Sequence, residues 1–211
     1  MKSQQSGHDH YHTMNENRKQ LRQILRLKRQ NISPQQRSHA AEQVAEQLLT
    51  HPAFQQAQHI GFYMSNDNEI DPLPLVQKAW ALGKKCYLPK LNLHLKKHLS
   101  FILYHSGDPL NLNRYKIPEP LPSPDKIHPP TDLDIVLTPL VGFDEQGNRL
   151  GMGGGYYDRT FEFITPTSAK PILVGLAYEA QKVEHIPMEK WDIPMRFIVT
   201  EKQIYSKEYA K

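Results

Sequence analysis

Residues 148–159 read NRLGMGGGYYDR. Four of the five positions 151–155 are glycine, and Tyr156, Tyr157, Asp158 and Arg159 follow at once. A glycine-rich turn feeding a helix lets backbone N–H groups approach an anion, and the helix N-terminus adds partial positive charge. Phosphate is the usual guest. The stretch has neither the G-x-x-x-x-G-K-Ser/Thr pattern nor the dinucleotide spacing, so the glycines alone read first as a tight turn. Their neighbours sharpen the reading. Arg149 could hold a phosphate. Asp158 stands where a helix should begin, near Tyr156 or Tyr157. It fits a Mg²⁺ ligand beside phosphate oxygens as well as an acid favoured by the helix dipole, and the pattern leaves both open. Tyr156 and Tyr157 fit either a core position or a wall against a flat ligand.

Such a turn needs a frame, and the chain supplies alternating elements. Residues 18–30 read as a helix without acidic residues, with Leu21, Ile24, Leu25 and Lys28 on one face and Arg18, Arg22, Arg26 and Arg29 on another. Ser33, Pro34 and Gln36 form the signature of a capped second helix, whose buried stripe is Ala41, Val44, Ala45 and Leu48. Strands are expected at 59–64, over KKCYLP, at 99–105, at 133–143, at 171–177 and at 196–200, with a helix near 73–82. The proline-rich stretch 117–130 cannot be helix or central strand. This alternation predicts a three-layer α/β fold with a mostly parallel sheet and helices on both faces. Ligands of such sheets collect at the carboxyl ends of the strands, which directs attention to the loops after 59–64, 133–143 and 171–177.

The 211 residues suit one α/β domain, 16–211, preceded by a disordered His-rich tail, 1–15, that carries His8, His10 and His12. Net charge is +4, compatible with phosphate ligands or nucleic acid but diagnostic of neither. A single cysteine, Cys86, excludes an internal disulfide framework and points to the reducing cytoplasm. No run approaches a membrane span. The chain is expected to act as a monomer on small molecules.

GFDEQGNRLGMGGGYYDR resembles the signature of the 5-formyltetrahydrofolate cyclo-ligases. RKQLR, YMSNDNEID, CYLPK, IPEP, GLAYEAQKVEHIPMEKWD and FIVTE occur in that family's order at similar spacing, over roughly 16–201. The resemblance implies ATP- and Mg²⁺-dependent conversion of 5-formyltetrahydrofolate to 5,10-methenyltetrahydrofolate, with release of ADP and phosphate. It places Arg18, Lys19 and Arg22 at the nucleotide, and Met64 and Glu69 at the folate. Arg149, Leu150, Gly151, Met152, Gly153, Gly154, Gly155, Tyr156 and Tyr157 match the ATP-binding stretch, of which 152–156 also approach the folate. Asp158 and Asp192 match magnesium ligands, and Tyr157 and Asp158 are expected to be catalytic. Pattern alone does not select Asp192, since an Asp before Ile-Pro usually caps a turn. Some relatives carry Arg and Lys where this chain has Met152 and Gly154, and Lys90, Arg114 or Lys116 could compensate. An RNA-binding protein using the basic helix, with Tyr156 and Tyr157 stacked on bases, is the rival expectation. A sugar-phosphate isomerase or acyl-transfer enzyme is compatible with the fold.

Overall fold

The computed structural model describes residues 3–165 and 167–206, with side chains from residue 16 onward. Helix α1, Ser3–Gln30, runs through most of the segment expected as a disordered tail, whose side chains lie outside the described residues. Helices α2, Pro34–Thr50, and α3, Pro52–Gln56, precede strand β1, His59–Gly61. Helix α4, Leu73–Ala81, leads to β2, Lys85–Leu91, and β3, Leu99–Leu103. A small hairpin follows, β4, Leu110–Leu112, with β5, Pro118–Pro120; then β6, Ile127–His128, and β7, Ile135–Pro139. A second hairpin pairs β8, Gly142–Phe143, with β9, Arg149–Leu150. The chain ends through α5, Tyr156–Thr160; β10, Ile172–Leu176; β11, Phe197–Val199; and β12, Ile204–Ser206.

Eight strands form one sheet in the order β12-β11-β10-β7-β1-β2-β3-β6. The central run β11-β10-β7-β1-β2 is parallel, and β12, β3 and β6 join antiparallel at the edges. The expected mostly parallel sheet is therefore present. Helices lie on both faces, but unequally. On one face α2, α3 and α4 cover Ile60, Cys86, Leu137 and Val174. On the other, the short α5 and the chain around Ile193 and Met195 cover Phe101, Val136 and Ile198. No described helix is long and apolar enough to cross a membrane.

Local signals explain several boundaries. Ser33 Oγ accepts from Gln36 N while Gln36 Oε1 accepts from Ser33 N, so α2 starts with a reciprocal cap, a device worth about 1 kcal/mol. The apolar run expected as one strand, 133–143, is divided: it leaves the sheet after Pro139, and Gly142–Phe143 joins the second hairpin instead. Proline at 139 has no N–H with which to prolong a ladder. The proline-rich segment lies only at edges, as β5 against β4 and as β6 at the sheet margin.

α1 corrects the expected division of faces. Leu25 is fully buried, but Ile24 and Leu27 are exposed, and the inward face also carries Arg18 and Arg29, both buried. Positions 18, 22, 25 and 29 recur at helical spacing. This face lies against the carboxyl-end loops, where Arg29 Nη1 donates to Leu140 O at 3.2 Å. What read as a basic surface is in part a packed, polar interior face.

β1 and β7 are neighbours whose chains continue in opposite directions, β1 through α4 to β2 and β7 towards β10. That is the topological switch point of the sheet, where α/β folds open a crevice.

Candidate active site

A cleft of about 640 Å³ opens at this switch point. It gathers the loop after β1, the glycine turn, the inner face of α1, the 187–192 segment and the β4–β5 hairpin. Of the residues expected there, Arg18, Arg22, Met64, Glu69, Arg149, Gly151 to Tyr157, Asp158 and Asp192 line it. Lys19 and Leu150 do not: Lys19 is exposed on α1, and Leu150 is fully buried in the core.

The β8–β9 hairpin delivers the glycine turn. Asp144 is fully buried and accepts from Gln146 N, Asn148 N and Ile186 N, which fixes the hairpin bend and ties it to the later chain. The turn then runs across the cleft, with Gly155 in the left-handed region at φ 69° as it enters α5. Backbone N–H groups of residues 151–155 donate to no group among the described residues. An open row of donors of this kind suits an anion. α5 has only five residues, so a helix dipole adds less than the sequence led one to expect; the turn and the nearby guanidinium groups carry the charge complementarity.

Those guanidinium groups are held in place by acids and carbonyls. Arg149 Nη2 pairs with Asp158 Oδ1 at 2.6 Å, both largely buried. Asp158 Oδ1 also accepts from Ile193 N at 3.2 Å, while its Oδ2 has no partner among the described residues. Arg18 grips Asp192 with both Nη atoms, at 2.6 and 3.3 Å, and donates to Pro187 O. Asp192 Oδ2 accepts from Glu189 N as well. Arg22 Nε donates to Gly151 O at 2.8 Å and so binds α1 to the glycine turn. Burial and the neighbouring Arg18 lower the Arg22 pKa below its usual value. Arg149 Nε is buried without a partner, an orphaned donor at the cleft wall of the kind that usually signals a missing ligand or water.

The Ile193 N–H that donates to Asp158 follows directly on Asp192 in the chain, but no group of three His, Cys, Asp or Glu side chains is assembled among the described residues. A structural metal site needs a fuller donor set. Mg²⁺ is ordinarily held by one or two carboxylates with phosphate oxygens and water; Asp158, with Oδ2 unpartnered, fits that mode, whereas both oxygens of Asp192 are engaged by Arg18 and the Glu189 N–H.

The loop after β1 forms the opposite wall. Asp67 and Asn68 both have positive φ, 50° and 59°, and the turn is pinned by Arg26, Arg29 and Gln30 on the Asp67 carboxylate. Glu69 Oε2 accepts from Asn66 N, and Arg29 Nη1 lies 3.9 Å from its Oε1. Burial nevertheless pushes the Glu69 carboxyl up to about 7. Tyr157 faces the cleft from the packed side, and burial raises its phenol well above the ordinary value. Tyr156 stands at the rim, where its hydroxyl meets Tyr115 OH at 2.9 Å and accepts from Arg114.

Sequence reasoning missed Asn66, Asp67, Tyr115, Glu119, Glu189 and Trp191 as wall residues. Tyr115 alone lies outside the family-like motifs: Asn66 and Asp67 fall in YMSNDNEID, Glu119 in IPEP, and Glu189 and Trp191 in GLAYEAQKVEHIPMEKWD, though the resemblance assigned none of them a role. Glu119 pairs with Lys90 at 2.7 Å beneath the β4–β5 hairpin.

A profile of the 5-formyltetrahydrofolate cyclo-ligase family matches residues 14–201. The chain is 38% identical to the 5-formyltetrahydrofolate cyclo-ligase of Escherichia coli K12, covering 86% of this chain and 99% of that protein. It is 41% identical to the one from Haemophilus influenzae, over 84% of this chain and 94% of the other. The solution structure of Aquifex aeolicus 5,10-methenyltetrahydrofolate synthetase superposes with a TM-score of 0.79 at 31% identity, covering 92% of this chain and 94% of that one. The chain belongs to the 5-formyltetrahydrofolate cyclo-ligase family.

Proposed function

We propose that the protein converts 5-formyltetrahydrofolate and ATP to 5,10-methenyltetrahydrofolate, ADP and phosphate. The observation that carries this reading is the convergence, on one cleft, of an open row of backbone donors at 151–155 and the carboxylate of Glu69 on the facing loop. The first suits a triphosphate. The second suits the amide N–H and exocyclic amine of a pterin, to which a carboxylate offers two parallel acceptors.

The chemical difficulty is the formyl oxygen, which leaves an amide-like carbon only reluctantly. Transfer of the γ-phosphoryl group to that oxygen makes the carbon electrophilic. N10 then attacks, loses its proton as the ring closes, and phosphate departs with the oxygen. Such transfer demands positioning and charge neutralisation more than covalent help. The glycine turn and Arg22 hold the phosphates, Arg149 is aimed by Asp158, and Tyr157 positions the formyl group from the dry side of the cleft. Asp158, through its unpartnered Oδ2, would hold Mg²⁺ with the nucleotide, where the ion would neutralise charge on the transferring group; Asp192, whose two oxygens are held by Arg18, would join it only on release of that pair.

The inward turn of Arg18 and Arg29 supports this reading over an RNA surface, because both are buried and committed to Asp192 and Asp67. Cys86 is buried and its thiol is pushed up to about 12, which suits an inert thiol in a reducing cytoplasm. The enzyme acts as a monomer on small molecules. Purified protein incubated with 5-formyltetrahydrofolate and Mg-ATP should give the absorbance of the methenyl product in an ATP-dependent manner. No product with any nucleotide, alongside salt-sensitive RNA binding, would replace the reading.

A further inference from the structure

Between Leu150 and Tyr156 the glycine turn carries no cationic side chain, and a side chain at position 154 would press on its neighbour. A Cβ on Gly154 would lie 2.9 Å from the Tyr156 ring. That ring would have to swing aside for a side chain at 154. Of the three cations that could compensate, Lys90 is spent: its Nζ lies 2.7 Å from Glu119 Oε1, largely buried. Lys116 and Arg114 are both exposed and outside the cleft lining, but Arg114 contacts two residues that do line it, Tyr115 and Tyr156. Its guanidinium donates to the Tyr156 hydroxyl and lies 5.0 Å from the Tyr115 ring centroid, yet it has no carboxylate partner among the described residues.

The hairpin tip that carries it is built. Asn113 Oδ1 accepts from Tyr115 N and Ile117 N, and Asn113 Nδ2 donates to Glu119 Oε2 at 3.3 Å. Asn113, Tyr115 and Ile117 line the cleft on either side of Arg114. An exposed guanidinium is thereby fixed at the cleft rim by two aromatic side chains, with most of its five N–H donors unspent.

We propose that Arg114 binds the carboxylates of the folate's glutamate tail, supplying from the β4–β5 hairpin the charge that the glycine turn lacks. The proposal rests on the folate reading above. Two features favour the tail over the triphosphate. Tyr115 and Tyr156 meet edge to face with centroids 6.0 Å apart, a wall suited to the flat aminobenzoyl group from which the tail extends. Arg114 is also exposed, whereas a triphosphate undergoing transfer must be enclosed from water. A tail of variable length has to leave the cleft, and a planar fork at the exit matches a carboxylate in two-point geometry.

The test compares the full-length protein with Arg114→Gln and Arg114→Lys, using 5-formyltetrahydrofolate as the monoglutamate and as the γ-linked triglutamate. Arg114→Gln should raise KM for the folate about 5–10-fold, as expected for one charge-assisted contact near solvent. KM for ATP and kcat should change by less than about 2-fold, and the advantage of the triglutamate should shrink. Lysine at 114 should restore part of the folate KM, and added salt should weaken folate binding in the parent more than in Arg114→Gln. An increase confined to the KM for ATP would assign the guanidinium to the nucleotide, and unchanged constants would leave it a hairpin latch; either result overturns the proposal. Calorimetric binding of p-aminobenzoyl-triglutamate gives a readout without turnover. If the parent is inactive but binds this fragment through Arg114, the reaction assignment fails and the carboxylate site stands. An active parent whose fragment affinity is the same in Arg114→Gln keeps the reaction and discards the site.

Discussion

Arg149 and Asp158 face each other across the glycine turn in a 2.6 Å ion pair, with the guanidinium side chain 5% exposed and the carboxylate 12%. One oxygen of Asp158 holds the arginine and the other is left for a ligand. On the proposed reading the same carboxylate positions Arg149 against phosphate and leaves one oxygen to a Mg²⁺ ion. Replacing it by asparagine removes both functions while keeping the shape. Asp158→Asn should lower kcat by about 100-fold or more, since charge stabilisation of a transferring group is worth several kcal/mol. Breaking a buried pair also costs about 3–5 kcal/mol of stability, so the unfolding midpoint should fall. The metal role is checked separately, by Mg²⁺ titration of ATP binding in a variant confirmed to be folded. A Mg²⁺ dependence identical to the parent's would remove it.

Arg22 ties α1 to the glycine turn through Gly151 O, so it acts on whatever that turn binds. Arg22→Ala should raise the apparent KM for ATP about 10-fold, and more than the KM for the folate, by loss of one charge-assisted contact and of the turn's anchor. The opposite order in steady-state kinetics would place α1 on the folate side of the cleft.

Glu69 gives a pH dependence. Burial lifts its carboxyl from 4.5 to about 7 in the folded protein, so the fold favours the protonated form. Its contribution to stability is full below 4.5 and is lost as pH rises through about 7. On the proposed reading the ionised carboxylate binds the pterin, so KM for the folate should fall as pH is raised through about 7. Glu69→Gln should raise that KM about 10-fold and flatten its pH profile, having only one acceptor oxygen to offer. A profile unchanged by this substitution would show that another group titrates.

What the sequence made legible follows from how local each signal is. Ser33, Pro34 and Gln36 announce their cap because its partners are three residues apart. The alternation of strands and helices gave the sheet type, and the carboxyl-end rule gave the position of the cleft. Contacts over long separations left no trace: Arg18 meets Asp192 across 174 residues, and nothing around either residue encodes the other. The wrong face of α1 has the same origin. An arginine turned inward reads as solvated until the acids that receive it, Asp67 and Asp192, are folded against it. Asp192 was reached by family resemblance and not by pattern, and Trp191 beside it was not reached at all. The short strands Leu110–Leu112 and Ile204–Ser206 and the helix Pro52–Gln56 escaped because each is too brief to show a period.

Gly154 and Gly155 are adjacent, yet they should fail for different reasons when substituted. A Cβ at 154 meets the Tyr156 ring at 2.9 Å, whereas at 155 it meets nothing within 4 Å, and the cost there comes from φ at 69°. Gly154→Ala should therefore destabilise by about 1–3 kcal/mol through overpacking. It should also displace Tyr156, raising the folate KM. Trimming the ring in the double variant Gly154→Ala with Tyr156→Leu should recover the stability but not the KM. Gly155→Ala should cost about 1–2 kcal/mol for the left-handed conformation, and Gly155→Asn less, since asparagine visits that region more readily. Ring trimming should have no influence on either substitution at 155. Thermal unfolding of these variants, read beside their kinetics, separates the two causes. If Tyr156→Leu rescued Gly155→Ala as well, the turn would be yielding as one flexible unit, and the division of labour between its glycines would have to be abandoned.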